Sequence, residues 1–151
     1  MTSPTIFAAP YNTADSFHLA PSGQGDGPRG IERSIVVPAL TATDTIMGFF
    51  PFQKGASVLY GSAVTSGDLD SSTNVTIDVG YVYDDSATYT DDLDAFVSAS
   101  TIPQAGGVSY FDELAGATFV AQGQGWVVAQ VNAATTTTGT VTFNGSITYQ
   151  V

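Results

Sequence analysis

The segment VTFNGSITYQV (Val141–Val151) alternates apolar and polar residues over eleven positions, a pattern that a helix cannot use. Val141, Phe143, Ile147, Tyr149 and Val151 fall on one side, and Thr142, Asn144, Ser146, Thr148 and Gln150 on the other. A strand sends successive side chains to opposite faces, so a period of two separates a core side from a solvent side. VTIDVGYVY repeats the arrangement, with Val75, Ile77, Val79, Tyr81 and Tyr83 opposite Thr76 and Asp78. Weaker runs at ERSIVVPA, TIMGFFPF, ASVLYGSAV, ATFVAQ and GWVVAQVNA are bounded by Gly, Asp, Ser or Pro turns. About seven or eight short strands with such punctuation predict an all-β fold, a β-sandwich of jelly-roll type. Pro38 and Pro51 are expected at strand ends, bulges or edges, since neither can donate to a ladder.

One segment departs from this rhythm. In TYTDDLDAFVSAS, Thr90 suits an N-cap, Asp91 and Asp92 fall in a first turn, and Leu93, Phe96 and Val97 have helical spacing. One short helix is therefore expected near residues 90–100, with its carboxylates held by free N–H groups and the helix dipole at about 0.3–1 kcal/mol each. The alternative for the same acidic run is calcium, which takes six to eight oxygens. Asp84, Asp85, Asp91, Asp92 and Asp94 could supply several of them, as could Asp68 and Asp70. Neither stretch has the turn Gly and distal Glu of an EF-hand loop, so the structural role is preferred, with no metal and no cofactor expected.

Residues 1–30 hold four of the seven prolines and end in SGQGDGPRG, which favours neither helix nor ladder. They read as an extended N-terminal arm, ahead of a β-sandwich domain at 31–151. Ile6, Phe7, Tyr11, Phe17 and Leu19 are too many apolar residues for a purely flexible tail. Such an arm is expected to lie on its own domain or on a neighbour, and these five are the candidate contacts with a partner.

Charged residues make up only 11% of the 151, and the formal net charge is −11, with Arg29, Arg33 and Lys54 the only basic side chains. Phosphate neutralisation needs clusters of Lys and Arg, so nucleic acid is excluded as a partner, and an anionic membrane surface for the same reason. There is no cysteine, which removes disulfides and thiolate metal sites. The N-terminus lacks a basic and apolar leader, and no apolar run approaches the roughly 18 residues of a membrane span. A soluble protein made in a cytoplasm without export is expected.

No enzymatic constellation stands out. GDGPRG (Gly25–Gly30) matches G-x-G-x-x-G, but a dinucleotide site needs a strand before it and a helix after it. His18 is the only histidine, and no G-x-S-x-G elbow occurs. Asn74 and Asn144 match glycosylation sequons yet read as ordinary turn and strand residues. Trp126 with Tyr60, Tyr110 and Tyr149 could form a sugar-stacking platform, although core or interface packing is the commoner use of such rings.

The span FPFQKGASVLYGSAVTSGDLDSSTNVTIDVGY (Phe50–Tyr81) resembles a pattern in small structural proteins of tailed bacteriophages. There a strand ends in a KGA step, a second strand ends in YG, and a third carries DLDSST followed by IDVGY. The acidic DDLDAFVSAS and the closing GTVTFNGSITYQV fit the same layout, so the resemblance covers roughly residues 43–151. It implies a capsid decoration (cement) or minor head protein, which has no chemistry to perform. Its expected partners are the major capsid protein and further copies of itself, as a homo-oligomer such as a trimer at local three-fold positions. Its expected place is the capsid surface of the virion, after synthesis in the host cytoplasm. The alternative is a receptor- or carbohydrate-binding β-sandwich module of a phage fibre or tail. A module cut from a larger enzyme is disfavoured, because the chain opens on Met and ends without a linker.

Overall fold

Among the described residues there are ten strands, and eight of them pair in a nested order. The ten are β1 (Ile6–Phe7), β2 (Arg29–Val37), β3 (Thr45–Phe52), β4 (Ala56–Val58), β5 (Ala63–Ser66), β6 (Thr76–Tyr83), β7 (Asp92–Ser100), β8 (Gly107–Tyr110), β9 (Gly125–Asn132) and β10 (Gly139–Tyr149). The computed structural model describes residues 4–8, 29–39, 45–59, 61–70, 74–132 and 136–149. β6 pairs with β7, β5 with β8, β3 with β9 and β2 with β10, all antiparallel. The pairs lie one inside another along the chain, and rolling them up yields two facing sheets. The first sheet has the order β1-β3-β9-β6-β7; the second has β2-β10-β5-β8, with β4 also on β10. This is the connectivity of a jelly roll, as the alternation of strands predicts.

The alternating residues occupy the places their period demands. Val141, Phe143 and Ile147 on β10 are buried, as are Val75, Ile77, Val79 and Tyr83 on or beside β6. β3 reads differently, because a register shift between Gly48 and Phe50 inserts Phe49 as an extra residue. A bulge of this kind resets the side-chain alternation. Phe49 and Phe50 consequently both reach Phe143, at ring separations of 5.9 and 5.0 Å. Pro38 follows the end of β2, and Pro51 lies one residue from the end of β3.

The outer side of the first sheet is also covered. Trp126 is 1% exposed, and Phe7 meets its ring edge-on at 5.1 Å. Gly48 makes room for that pair, since a Cβ there would come within 2.9 Å of the indole and 3.2 Å of Phe7. β1 runs parallel to β3, with Ile6 opposite Met47 and Phe7 opposite Gly48, and Ala8 behind them is fully buried. The start of the expected arm is thus fastened to this domain. Tyr11, Phe17 and Leu19 lie outside the described residues.

The helix expected near 90–100 is absent, and Asp92–Ser100 is strand β7. Its register on β6 slips: Tyr81 faces Asp92, Val79 faces Val97 and Ile77 faces Ser100. Two bulges place Ala95, Phe96 and Val97 consecutively in the core, so Leu93, Phe96 and Val97 imitate helical spacing on a bent strand. Pairing with β6 and burial of Phe96 outweigh the capping signal, which is worth about 1 kcal/mol. A short helix does occur elsewhere, as α1 (Leu114–Ala117), and Pro103 opens a 3-10 turn at Ile102–Gln104.

Gly80 allows the slip. A Cβ there would overlap the Asp92 carbonyl oxygen and come 2.5 Å from the Leu93 carbonyl carbon, where the bulged part of β7 crosses β6. Gly80→Ala is expected to cost about 2–4 kcal/mol through forced backbone movement. Gly30→Ala, with nothing within 4 Å of the added carbon, is expected to stay within about 0.5 kcal/mol. Urea denaturation of the two variants checks the contrast, and equal midpoints would contradict this account of the bulge.

Candidate interaction surfaces

Three places among the described residues present chemistry at the surface. The first is the outer face of the second sheet. Register places Ser34, Thr142, Thr65 and Val108 in one cross-strand row, and Glu32, Asn144, Ala63 and Tyr110 in the next. The Ser34 and Thr142 hydroxyls hydrogen-bond at 2.8 Å. Val36 and Tyr110 are each 65% exposed and Val108 is 50% exposed, at opposite edges of the face. Among the described outward positions of these strands, Glu32 is the only charged residue. A hydroxyl-rich and nearly uncharged face is unusual on a chain of net charge −11.

The second place is the acidic run. Two of its five carboxylates, on Asp85 and Asp91, accept from backbone N–H groups. Asp91 accepts from Tyr83 N–H at 2.7 Å, and Asp85 accepts from Thr88 N–H at 3.3 Å. The same habit recurs outside the run. Asp68 accepts from Asp70 N–H at 3.0 Å, Asp70 from Val75 N–H at 2.9 Å, and Asp78 from Ala99 N–H at 2.5 Å. That last bond holds Ala99 at φ 48°, a left-handed backbone at a position without glycine. The five carboxylates of the calcium alternative do not converge: among the described residues, no three His, Cys, Asp or Glu side chains gather as a metal would require.

Asp92 and Asp94 are neighbouring carboxylates at the start of β7. Partial burial, and then the Asp94 carboxylate beside it, push the Asp92 carboxyl above the usual range. Burial, and after it the nearby Asp92, raise the Tyr81 phenol as well, so its proton stays on.

The third place lies at one end of the sandwich, where three connections meet. These are the β3–β4 turn, the β6–β7 loop and the segment leading into β9. Gly55 N–H donates to Ala121 O and Ala121 N–H to Ala56 O, both at 2.8 Å, and Asp84 N–H donates to Gln124 O at 3.0 Å. Gln122 N–H donates to the Tyr83 hydroxyl at 3.2 Å. Tyr89 packs on Tyr83 at 5.1 Å and lies across Gly123, where a Cβ would approach its ring to 2.6 Å. The result is an open cleft of about 810 Å³ lined by Lys54, Gly55, Tyr89, Val120, Ala121 and Gln122. A side pocket of about 200 Å³ adjoins it, lined by Tyr81, Tyr83, Thr88, Tyr89, Thr90 and Gln122. Sequence alone does not bring these loops together. The platform considered around Trp126 does not form, because that ring is buried.

With this geometry in view, two solved structures share the fold. A chain in the capsid of Ralstonia phage GP4 superposes with a TM-score of 0.69 at 19% identity, covering 85% of this chain and 88% of that one. A chain of the cyanophage Pam1 capsid asymmetric unit superposes with a TM-score of 0.63 at 23% identity, covering 93% and 99%. The jelly roll found here is one that phage capsids contain. No family model and no curated protein matches the chain.

The Asp92–Asp94 pair yields a pH test. A carboxyl with a raised folded pKa contributes stability below its unfolded value, near 3.8, and loses it as pH rises through the folded value. At neutral pH the ionised Asp92 therefore lowers stability. Asp92→Asn should raise Tm at pH 7 by on the order of 1 °C, small because solvent screens the pair. The gain should vanish below about pH 4. A gain that persists at pH 3 would point to packing instead of charge.

Proposed function

We propose that this chain is a structural virion protein, a decoration or cement protein that binds the outer surface of an assembled phage head and stabilises it without catalysis. The observation that carries the reading is the nearly uncharged outer face of the second sheet, on a fold shared with phage capsid chains. Interface cores are depleted of charge and enriched in tyrosine, and this face offers Tyr110, Val108 and Val36 around a threonine ladder. Charge supports the outer side of the shell, because a chain at −11 is repelled by packaged DNA.

The partners in this reading are the major capsid protein and other copies of the chain, with trimers at local three-fold positions as the natural arrangement. A protein that binds only the assembled lattice stabilises it by mass action, and many copies make modest contacts sufficient. The arm of this reading is the part of residues 1–30 between β1 and β2, since Ile6–Phe7 and Arg29–Gly30 are strand residues of the sandwich. Ile6 and Phe7 anchor its start, and Tyr11, Phe17 and Leu19 are the side chains offered to a neighbour.

Two measurements test this. Thr142→Lys places a charge in the middle of the face, and it should shift stability by less than about 1 kcal/mol while weakening binding to empty heads at least about tenfold. Unchanged affinity would remove this face from the interface. Heads assembled without the protein should release DNA at lower temperature than complete ones, and purified protein should restore resistance saturably. Heads that are equally robust but fail to adsorb to cells would support the receptor-binding reading instead.

A further inference from the structure

The end cleft is not used by the proposed attachment, which runs through the second sheet. Its volume of about 810 Å³ lies within the roughly 300–1,000 Å³ typical of small-ligand sites. Its walls combine an aromatic surface, Tyr89, with neutral hydrogen-bonding groups on Thr88, Thr90, Tyr81 and Gln122, and one ammonium, Lys54. It is also held in shape. The backbone bonds among the three connections fix their separation, and Gly123 leaves room for the edge of the Tyr89 ring beside the chain. Preformed walls spare the entropy that a flexible site spends on ordering.

We propose that this cleft binds a neutral saccharide, with one sugar ring stacked on Tyr89 and its hydroxyls paired to Thr88, Thr90, Gln122 and Lys54. A pyranose ring offers a C–H face to an aromatic ring and a rim of hydroxyls, each both donor and acceptor. That rim matches walls made of hydroxyls and an amide. Charge selects among sugars. Asp84, Asp85 and Asp91 lie in the same loop as Tyr89 and Asp92 opens the strand after it, while Lys54 is the one cation among the lining residues, so the four nearby carboxylates disfavour carboxylated or phosphorylated sugars. A purely apolar occupant would leave the hydroxyls and the Gln122 amide without partners, which disfavours it. The proposal concerns the isolated chain and does not depend on attachment to a head.

The experiment is saturation-transfer NMR on the full chain with glucose, galactose, mannose, N-acetylglucosamine and sialic acid, followed by calorimetric titration of any binder. At least one neutral sugar should bind with a Kd on the order of 1 mM or tighter, and sialic acid should not. Tyr89→Ala and Gln122→Ala should each weaken binding at least about tenfold, with Tyr89→Phe close to wild type and Tyr110→Ala unchanged. Tyr89→Phe and Gln122→Ala keep the test intact if loss of the Tyr89 ring disturbs the loop. The absence of any neutral-sugar signal at about 10 mM, equal binding of sialic acid, or insensitivity to both Tyr89→Ala and Gln122→Ala would overturn the proposal. So would loosened self-association in Tyr89→Ala without sugar binding, since the cleft would then seat protein.

Discussion

A continuous layer of aromatic rings holds the two sheets at their spacing, and most other features of the molecule accommodate it. Phe143 on β10 meets Phe49, Phe50 and Phe111, and Phe111 stacks on Phe96 at 4.9 Å with the rings 3° apart. The chain of contacts continues from Phe96 to Phe119, from Phe119 to Tyr81 at 4.3 Å and to Phe52, and from Phe52 to Tyr83. Offset and edge-on contacts each add about 0.5–1.5 kcal/mol beyond the area they bury. Both large irregularities serve this layer. The bulge at Phe49 puts two consecutive rings inside, and the slip in β7 brings Phe96 beneath Tyr81 and Phe119.

The same layer explains where polarity goes. Tyr81, Tyr83 and Tyr89 carry the aromatic run out to the end of the sandwich, so the cleft is the wet margin of the core. The aspartates do a different task. Where a bulge or tight turn leaves an N–H without a ladder partner, a nearby carboxylate accepts it, as Asp91 does for Tyr83 and Asp78 for Ala99. Asp78 also accepts from the Asn132 side chain on the neighbouring β9. Charge is concentrated at these irregular points, and the second sheet's regular outer face is left to threonine, serine and asparagine.

Legibility in the sequence followed the regularity of the ladders. β10 and β6 were readable because one residue in two faces the core without interruption through Val141–Phe143 and Val75–Val79. The jelly roll followed from strand number and punctuation. β7 was not readable, because a bulge turns a period of two into spacings of three and four, and Asp91 caps a strand end with the same chemistry it would bring to a helix. Gly80 is the local trace of that bulge, but a lone glycine in a strand does not say which segment crosses it. The end cleft was hidden for another reason. Tyr89 and Gln122 are brought together by β6 pairing with β9, a long-range contact that no local pattern encodes.

Nested pairing also has a temporal side. β10 is central in the second sheet, flanked by β2 and by β5 and β4, yet it follows every other strand in sequence. During synthesis β2 and β5 are made long before the strand that joins them, and their apolar faces wait uncovered. Closing such distant pairs is slow, and waiting edges invite pairing between chains. The hydroxyl-rich outer rows and the strongly negative net charge keep those waiting edges soluble and mutually repelling. The surface chemistry that suits a docked face therefore also protects the chain before its last strand arrives.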